Sequence, residues 1–180
     1  VLGREAEIRG QSVVGRLNQL YARQTKYFLV EVEIPAGHGA ATRDLGTVTV
    51  GYHDLERSKP DLLTAGSFCR FSERLADVEA GRNPRVMAAV ARQLGTETNR
   101  TAMELRDQGK VAEARAMLLS NAMYLDQTAA VTDSEHLKKD AAENRVAADN
   151  LDQDKWKKQR KTMSKEQVEK LQSLGYIEKP

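Results

Sequence analysis

The hydrophobic period of this chain changes once, at Asn83-Pro84, and that change limits the folds open to it. Before this point apolar residues recur at every second position. After it they recur at every third or fourth. A period of two with one apolar face makes a half-buried strand, and a period near 3.6 makes an amphipathic helix. A chain that uses each period in one continuous block, without alternation, is α+β and not a βαβ fold.

In the first block the clearest segment is KYFLVEVEI, Lys26 to Ile34. Phe28, Val30, Val32 and Ile34 fall on one face, and Pro35 ends the run because it has no N–H for a ladder. Thr47 to Tyr52 alternates again, as do Leu63, Ala65, Ser67, Cys69 and Phe71 beyond a polar turn at Glu56 to Asp61. Shorter strand candidates, Glu5 to Arg9 and Ser12 to Leu20, flank Gly10. Turn signals every ten or so residues suit an antiparallel meander or sandwich. In the second block Asn83 caps and Pro84 opens a helix carrying Met87, Val90, Ala91, Leu94, Thr98, Ala102 and Leu105. Gly109 stops it. A second helix carries Val111, Ala114, Leu118, Ala122, Leu125 and Ala129, completing an αα-hairpin. Thr132, Asp133 and Ser134 introduce a third, about Glu135 to Asn150. Asp152 or Asp154 introduces a fourth, which bears Trp156 and ends near Leu171. The expected architecture is an antiparallel β-sheet or sandwich over 1–76, then a helical bundle of about four helices over 77–180.

Composition explains the core this can build. Of 180 residues, 40% are hydrophobic and 5% aromatic. Many helical core positions are Ala, which buries little area at about 25 cal/mol per Å². The helices must therefore pack closely or bury against a partner. Trp156, the lone Trp, is expected to pack on the helical hairpin, since aromatics dominate core burial. One Cys excludes an intrachain disulfide framework. Cys69 is expected to be a buried, inert strand residue. No apolar run reaches the ~18 residues of a spanning helix, and no signal peptide is visible. The chain begins at Val1 and not Met, as expected of a piece of a longer protein.

Chemistry is sparse. His38, His53 and His136 show no HxxxH or HExxH spacing, so no metal site is expected from them. AGHGA is not a phosphate loop, because no GKS or GKT follows. Glu31 and Glu33 read as a solvated strand face. RDQGKVAEARAML looks like a tetratricopeptide-type helix pair, but no second copy follows at a 34-residue period. Charge is uneven: residues 1–151 carry net −1 and residues 152–180 net +3. Lys157, Lys158, Arg160, Lys161 and Lys165 form the candidate interaction surface. Such a stretch can track a phosphate backbone. It lacks the aromatic platform that single-strand binders use, and nucleic acid is not the favoured partner.

The stretch VLGREAEIRGQSVVGRLNQLYARQTKYFLVEVEIPAG resembles the region that follows the von Willebrand factor type A (VWA) domain in bacterial VWA-containing proteins. The resemblance continues through NPRVMAAVARQ, LRDQGKVAEARAMLLSNAMYL and NLDQDKWKKQRK, and so spans nearly the whole chain. It implies an upstream VWA domain that holds a divalent cation through a DxSxS motif and uses it to engage protein ligands. This sequence has no DxSxS, and Thr132-Asp133-Ser134-Glu135 does not fit its spacing. No metal or cofactor is therefore expected in this fragment. The resemblance also implies that strands flanking the VWA domain belong with those here, leaving exposed edges that favour a homodimer or element exchange. It implies a periplasmic or cell-surface parent. The expected function is a non-catalytic accessory and protein-interaction module supporting that domain. The alternative is an anionic-surface or nucleic-acid binder acting through the basic helix. No nucleophile–base pairing is visible, so no enzyme is expected.

Overall fold

The structure, a computed structural model, describes residues 1, 5–21, 24–39, 41–171 and 175–176, without the side chains of 153, 154, 171, 175 and 176. The chain is α+β, with antiparallel strands in its N-terminal part followed by helices. It divides into two compact units: Val1–Glu31 with Asn83–Pro180, and Val32–Arg82. The first three strands thus group with the helices, whereas the sequence reading divides the chain once, at 76/77.

The Val32–Arg82 unit is dominated by one long hairpin, β4 (Thr42–Asp54) on β5 (Lys59–Arg70). Its antiparallel register runs from Thr42↔Arg70 to Asp54↔Lys59 and shifts between Asp44 and Gly46. Leu45 is the extra residue of this bulge, and Gly46 takes φ 139°, a value that glycine alone adopts without strain. At the tip Asp54 Oδ1 accepts from the backbone N–H groups of Glu56 (2.9 Å) and Arg57 (3.1 Å), an Asx turn that closes the loop. A short helix, α1 (Leu75–Ala80), follows. Six residues give too short a pattern for periodicity to reveal, and it was not foreseen.

In the other unit β1 (Glu7–Arg9) pairs with β2 (Ser12–Val14), and β3 (Gln24–Thr25) pairs with β6 (Gly175–Tyr176). Every ladder described, β4–β5 included, is two-stranded. Among the described residues the expected strand at Lys26 to Ile34 forms no ladder, and Leu29 makes an isolated bridge. The alternation there is real, but it selects a face and not a neighbour, and Val30 and Val32 are exposed at 51% and 52%. A strand is held by a ladder of hydrogen bonds to a neighbouring strand, and alternation alone does not supply that neighbour.

The helices follow their local signals closely. In α2 (Pro84–Asp107) Asn83 accepts from the N–H groups of Arg85 and Val86, and Pro84 occupies the first turn. Gly109, at φ 83°, ends it in the left-handed conformation expected for a helix stop. In α3 (Val111–Thr132) the buried side is Ala114, Leu118, Asn121, Ala122, Leu125 and Ala129. Asp133 turns left-handed and Ser134 caps α4 (Glu135–Asp149). Then α5 (Gln153–Leu171) completes the bundle. α2 packs on α3, α3 on α4, and α5 on α2.

One expected face needs correction. Met87 and Leu94 of α2 are 38% and 42% exposed, while Gln93, Gly95 and Thr96 are buried. The cause is close approach at Gly95. A Cβ there would lie 3.1 Å from Leu125 Cδ2 and 3.2 Å from Asn121 Oδ1. Packing on the smallest residue turns α2 toward its polar neighbours. Cys69 is likewise half-buried and not buried, on a hairpin whose other residues are mostly exposed.

Candidate functional site

Two surfaces and one buried network carry the polar and apolar features of interest.

The first surface is α5. Trp156, 8% exposed, packs in a core with Ala102, Met103, Ala114, Leu118, Ala147, Ala148, Leu151 and Met163. Its indole Nε1 donates to Asp107 Oδ1 at 2.9 Å, and the Arg106 guanidinium lies 5.3 Å from its ring centre. Arg160 closes the arrangement, donating to Asp107 Oδ2 at 2.9 Å. Desolvation pushes the Asp107 carboxyl up. The hydrogen bonds from Arg160 and Trp156 and the charges of Arg160 and Arg106 outweigh it and hold the group below its usual range. This clamp sets the rotation of α5. With Trp156 inward, Lys157, Lys158, Lys161 and Lys165 point to solvent. Lys157, Lys158, Arg160 and Lys161 line one shallow open depression. Of the five basic residues singled out in the sequence, Arg160 is engaged by Asp107 and Lys165 lies 3.9 Å from Glu169.

The second surface is the β4–β5 hairpin. The register places Val48 beside Ala65, Val50 beside Leu63, and Tyr52 beside Asp61 on one face. The Tyr52 hydroxyl donates to Asp61 Oδ2 at 3.4 Å across it. Val48, Val50, Tyr52 and Leu63 are 59%, 48%, 42% and 59% exposed. Two strands alone leave both outer edges without a ladder among the described residues.

The network lies inside the bundle and was missed by sequence reading. Asn121 Nδ2 donates to Gly95 O (2.9 Å) and Asn99 Oδ1 (2.8 Å), and Asn99 Nδ2 donates to Asn144 Oδ1 (2.7 Å). Beside it Asp140, 5% exposed, receives Arg92 at 3.1 Å and Lys170 at 2.8 Å. Lys170 also reaches Glu143 at 3.2 Å. The signal was present as Asp140 and Asn144, one turn apart on the same helical side as Leu137 and Ala141, where a purely apolar stripe is the ordinary expectation.

Glu166 faces this network from α5. Partial burial raises its carboxyl above the usual range, and Glu143 and Asp140 add to that, while Lys170 and Lys139 oppose it. A carboxyl raised in the folded state binds its proton more tightly there, so its contribution weakens the fold as pH rises through the folded value. Glu166→Gln is expected to raise the melting temperature at pH 7 by about 1–3 °C, on the scale of a relieved surface charge. The gain should vanish as pH falls below the ordinary glutamate range. Calorimetric melts from pH 3 to pH 8 read both, and a gain that persists in acid would exclude this charge as the cause.

His38, His53 and His136 are all exposed, in the loop before β4, in β4 and in α4. Among the described residues no group of three or more His, Cys, Asp or Glu side chains is placed to hold a metal ion. No described helix is long and apolar enough to cross a membrane. No family model, curated protein or solved structure matches this chain.

Proposed function

We propose that this chain is a non-catalytic accessory module that supports a VWA adhesion-type domain lying outside this sequence, and that it docks protein through its hairpin. The reading includes a periplasmic or cell-surface parent, which the sequence resemblance suggests. One observation carries the docking role: an apolar strip, Val48, Val50, Tyr52 and Leu63, about half exposed on a ladder with open edges. Apolar faces of this kind are covered in working proteins, and an open edge adds backbone hydrogen bonds to whatever covers them.

The test uses the VWA domain of the parent protein, titrated into the 180-residue chain by calorimetry. A Val50→Asp/Leu63→Asp variant is expected to lose at least tenfold in affinity, because two charges then enter the apolar contact at about 1 kcal/mol or more each. The helical circular dichroism should stay unchanged. Equal binding by the variant would remove the hairpin from the interface. A parent gene without a DxSxS-bearing VWA domain would remove the reading altogether. Retardation of DNA at low salt, abolished by Lys157→Glu/Lys161→Glu, would instead favour the anionic-ligand alternative.

A further inference from the structure

From the hairpin's charge pattern we infer that the outer edge of β4 pairs with β4 of a second copy of this chain, antiparallel and about a two-fold axis through Thr49, making a four-stranded sheet. The inference stands on the geometry of the ladder and does not depend on the VWA reading.

Charge selects this register. In β4 the charged residues lie at the ends, Arg43 and Asp44 at one and Asp54 at the other, with an uncharged run between. A two-fold axis through Thr49 sets Val48 opposite Val50 of the second copy, Thr47 opposite its Gly51, and Gly46 opposite its Tyr52. Each pair keeps to one face of the sheet, as antiparallel pairing requires. The bulge at Leu45 then shifts the count by one residue. It brings Asp44 opposite the second copy's His53 and Arg43 opposite its Asp54. The Arg43–Asp54 contact occurs twice by symmetry. Parallel self-pairing instead puts Arg43 against Arg43 and Asp54 against Asp54. Both groups have capacity to spare. Arg43 gives one N–H to Pro35 O at 2.8 Å and has others, and Asp54 Oδ2 faces Arg57 at 3.6 Å.

The same reasoning rejects β5. Matching its two ends sets Lys59 against Arg70, and Pro60 has no N–H to offer. Lysine and proline are what natural sheets use to blunt an edge, and β4 contains neither. Pairing β4 to β5 of the next copy would repeat without closing, whereas β4 to β4 closes as a dimer flanked by the two blunted edges. The dimer makes one apolar strip from Val48, Val50, Tyr52 and Leu63 of both copies.

Sedimentation velocity of the full chain from about 5 to 200 µM reads the association. A concentration-dependent dimer is expected. Arg43→Glu and Asp54→Lys singly place like charges opposite each other twice, and each should weaken the dimer about tenfold or more. The double exchange Arg43→Glu/Asp54→Lys restores the pairing and should return affinity to within about threefold of the parent. In a Cys69→Ser background, Thr49→Cys should cross-link to a covalent dimer with a short bis-maleimide, and Thr64→Cys on β5 should not. A strict monomer throughout the range, a double variant as weak as the singles, or equal cross-linking at Thr64→Cys would each overturn the proposal. Asp54→Lys also removes the acceptor of the tip Asx turn, so the Arg43→Glu single, which leaves that turn intact, and the Thr49→Cys cross-link read the pairing apart from hairpin damage.

Discussion

Trp156→Ala should lower the melting temperature of this chain by roughly 10 °C, from a loss of about 3–5 kcal/mol at 2–4 °C per kcal/mol. The indole is 8% exposed, and among the described residues it is the one large aromatic in a buried cluster otherwise made of Ala, Leu and Met. Its removal opens a void between α2 and α5 that alanines cannot refill. It also strips Asp107 of the Nε1 donor at 2.9 Å and Arg106 of the ring beneath its guanidinium. Arg160 then holds Asp107 alone. Trp156→Phe divides the effect. It keeps most of the buried ring and loses the hydrogen bond, so it should fall between the parent and Trp156→Ala. Thermal melts followed at 222 nm check both. A Trp156→Ala melt equal to that of the parent would mean that α5 does not depend on this contact. Loss of the clamp should also free α5 to turn, spreading Lys157, Lys158 and Lys161 away from a single face.

Asp140→Ala is the second large effect, expected to cost about 3 kcal/mol or more. Asp140 accepts from Arg92 on α2 and pairs with Lys170 on α5, whose side chain is only 11% exposed. Truncation leaves Arg92 and Lys170 without their shared carboxylate, and Glu143, already 3.2 Å from Lys170, cannot serve both. A buried charge without its partner costs more than the pair contributed. Asp140→Asn keeps the shape and one acceptor oxygen, and should lose less. Urea titration gives the free energies, and amide exchange locates the damage, which should concentrate at the C-terminal turns of α5. Uniform exchange across all helices would show that the pair supports the bundle generally and not the docking of α5.

The helices were legible because their determinants are local. Asn83 with Pro84, Gly109, and Ser134 act on backbone groups within four residues, and each does in the structure what its chemistry implies. The apolar side of α3 was legible for the same reason, since one face recurs every 3.6 residues. The faces failed where a distant residue decides. Nothing near Leu94 in sequence says that Gly95 lets Leu125 come within contact of the helix backbone. Nothing near Asp140 says that its partners are 48 residues before it and 30 after. The hairpin divides in the same way. Alternation in Thr47 to Tyr52 marked a strand, but only pairing shows that it runs from Thr42 to Asp54, with a bulge that offsets its charged end.

The sequence by itself determined that a strand-forming part precedes a helical one, where the four long helices start and stop, and that one tryptophan packs the last of them into the core. These follow from side-chain period and from backbone groups satisfied close by. Only the tertiary structure decided which strands have partners, which polar side chains are buried, and which basic residues stay exposed on α5. Those outcomes depend on pairs of residues brought together from far apart, and no local pattern encodes the distance between them.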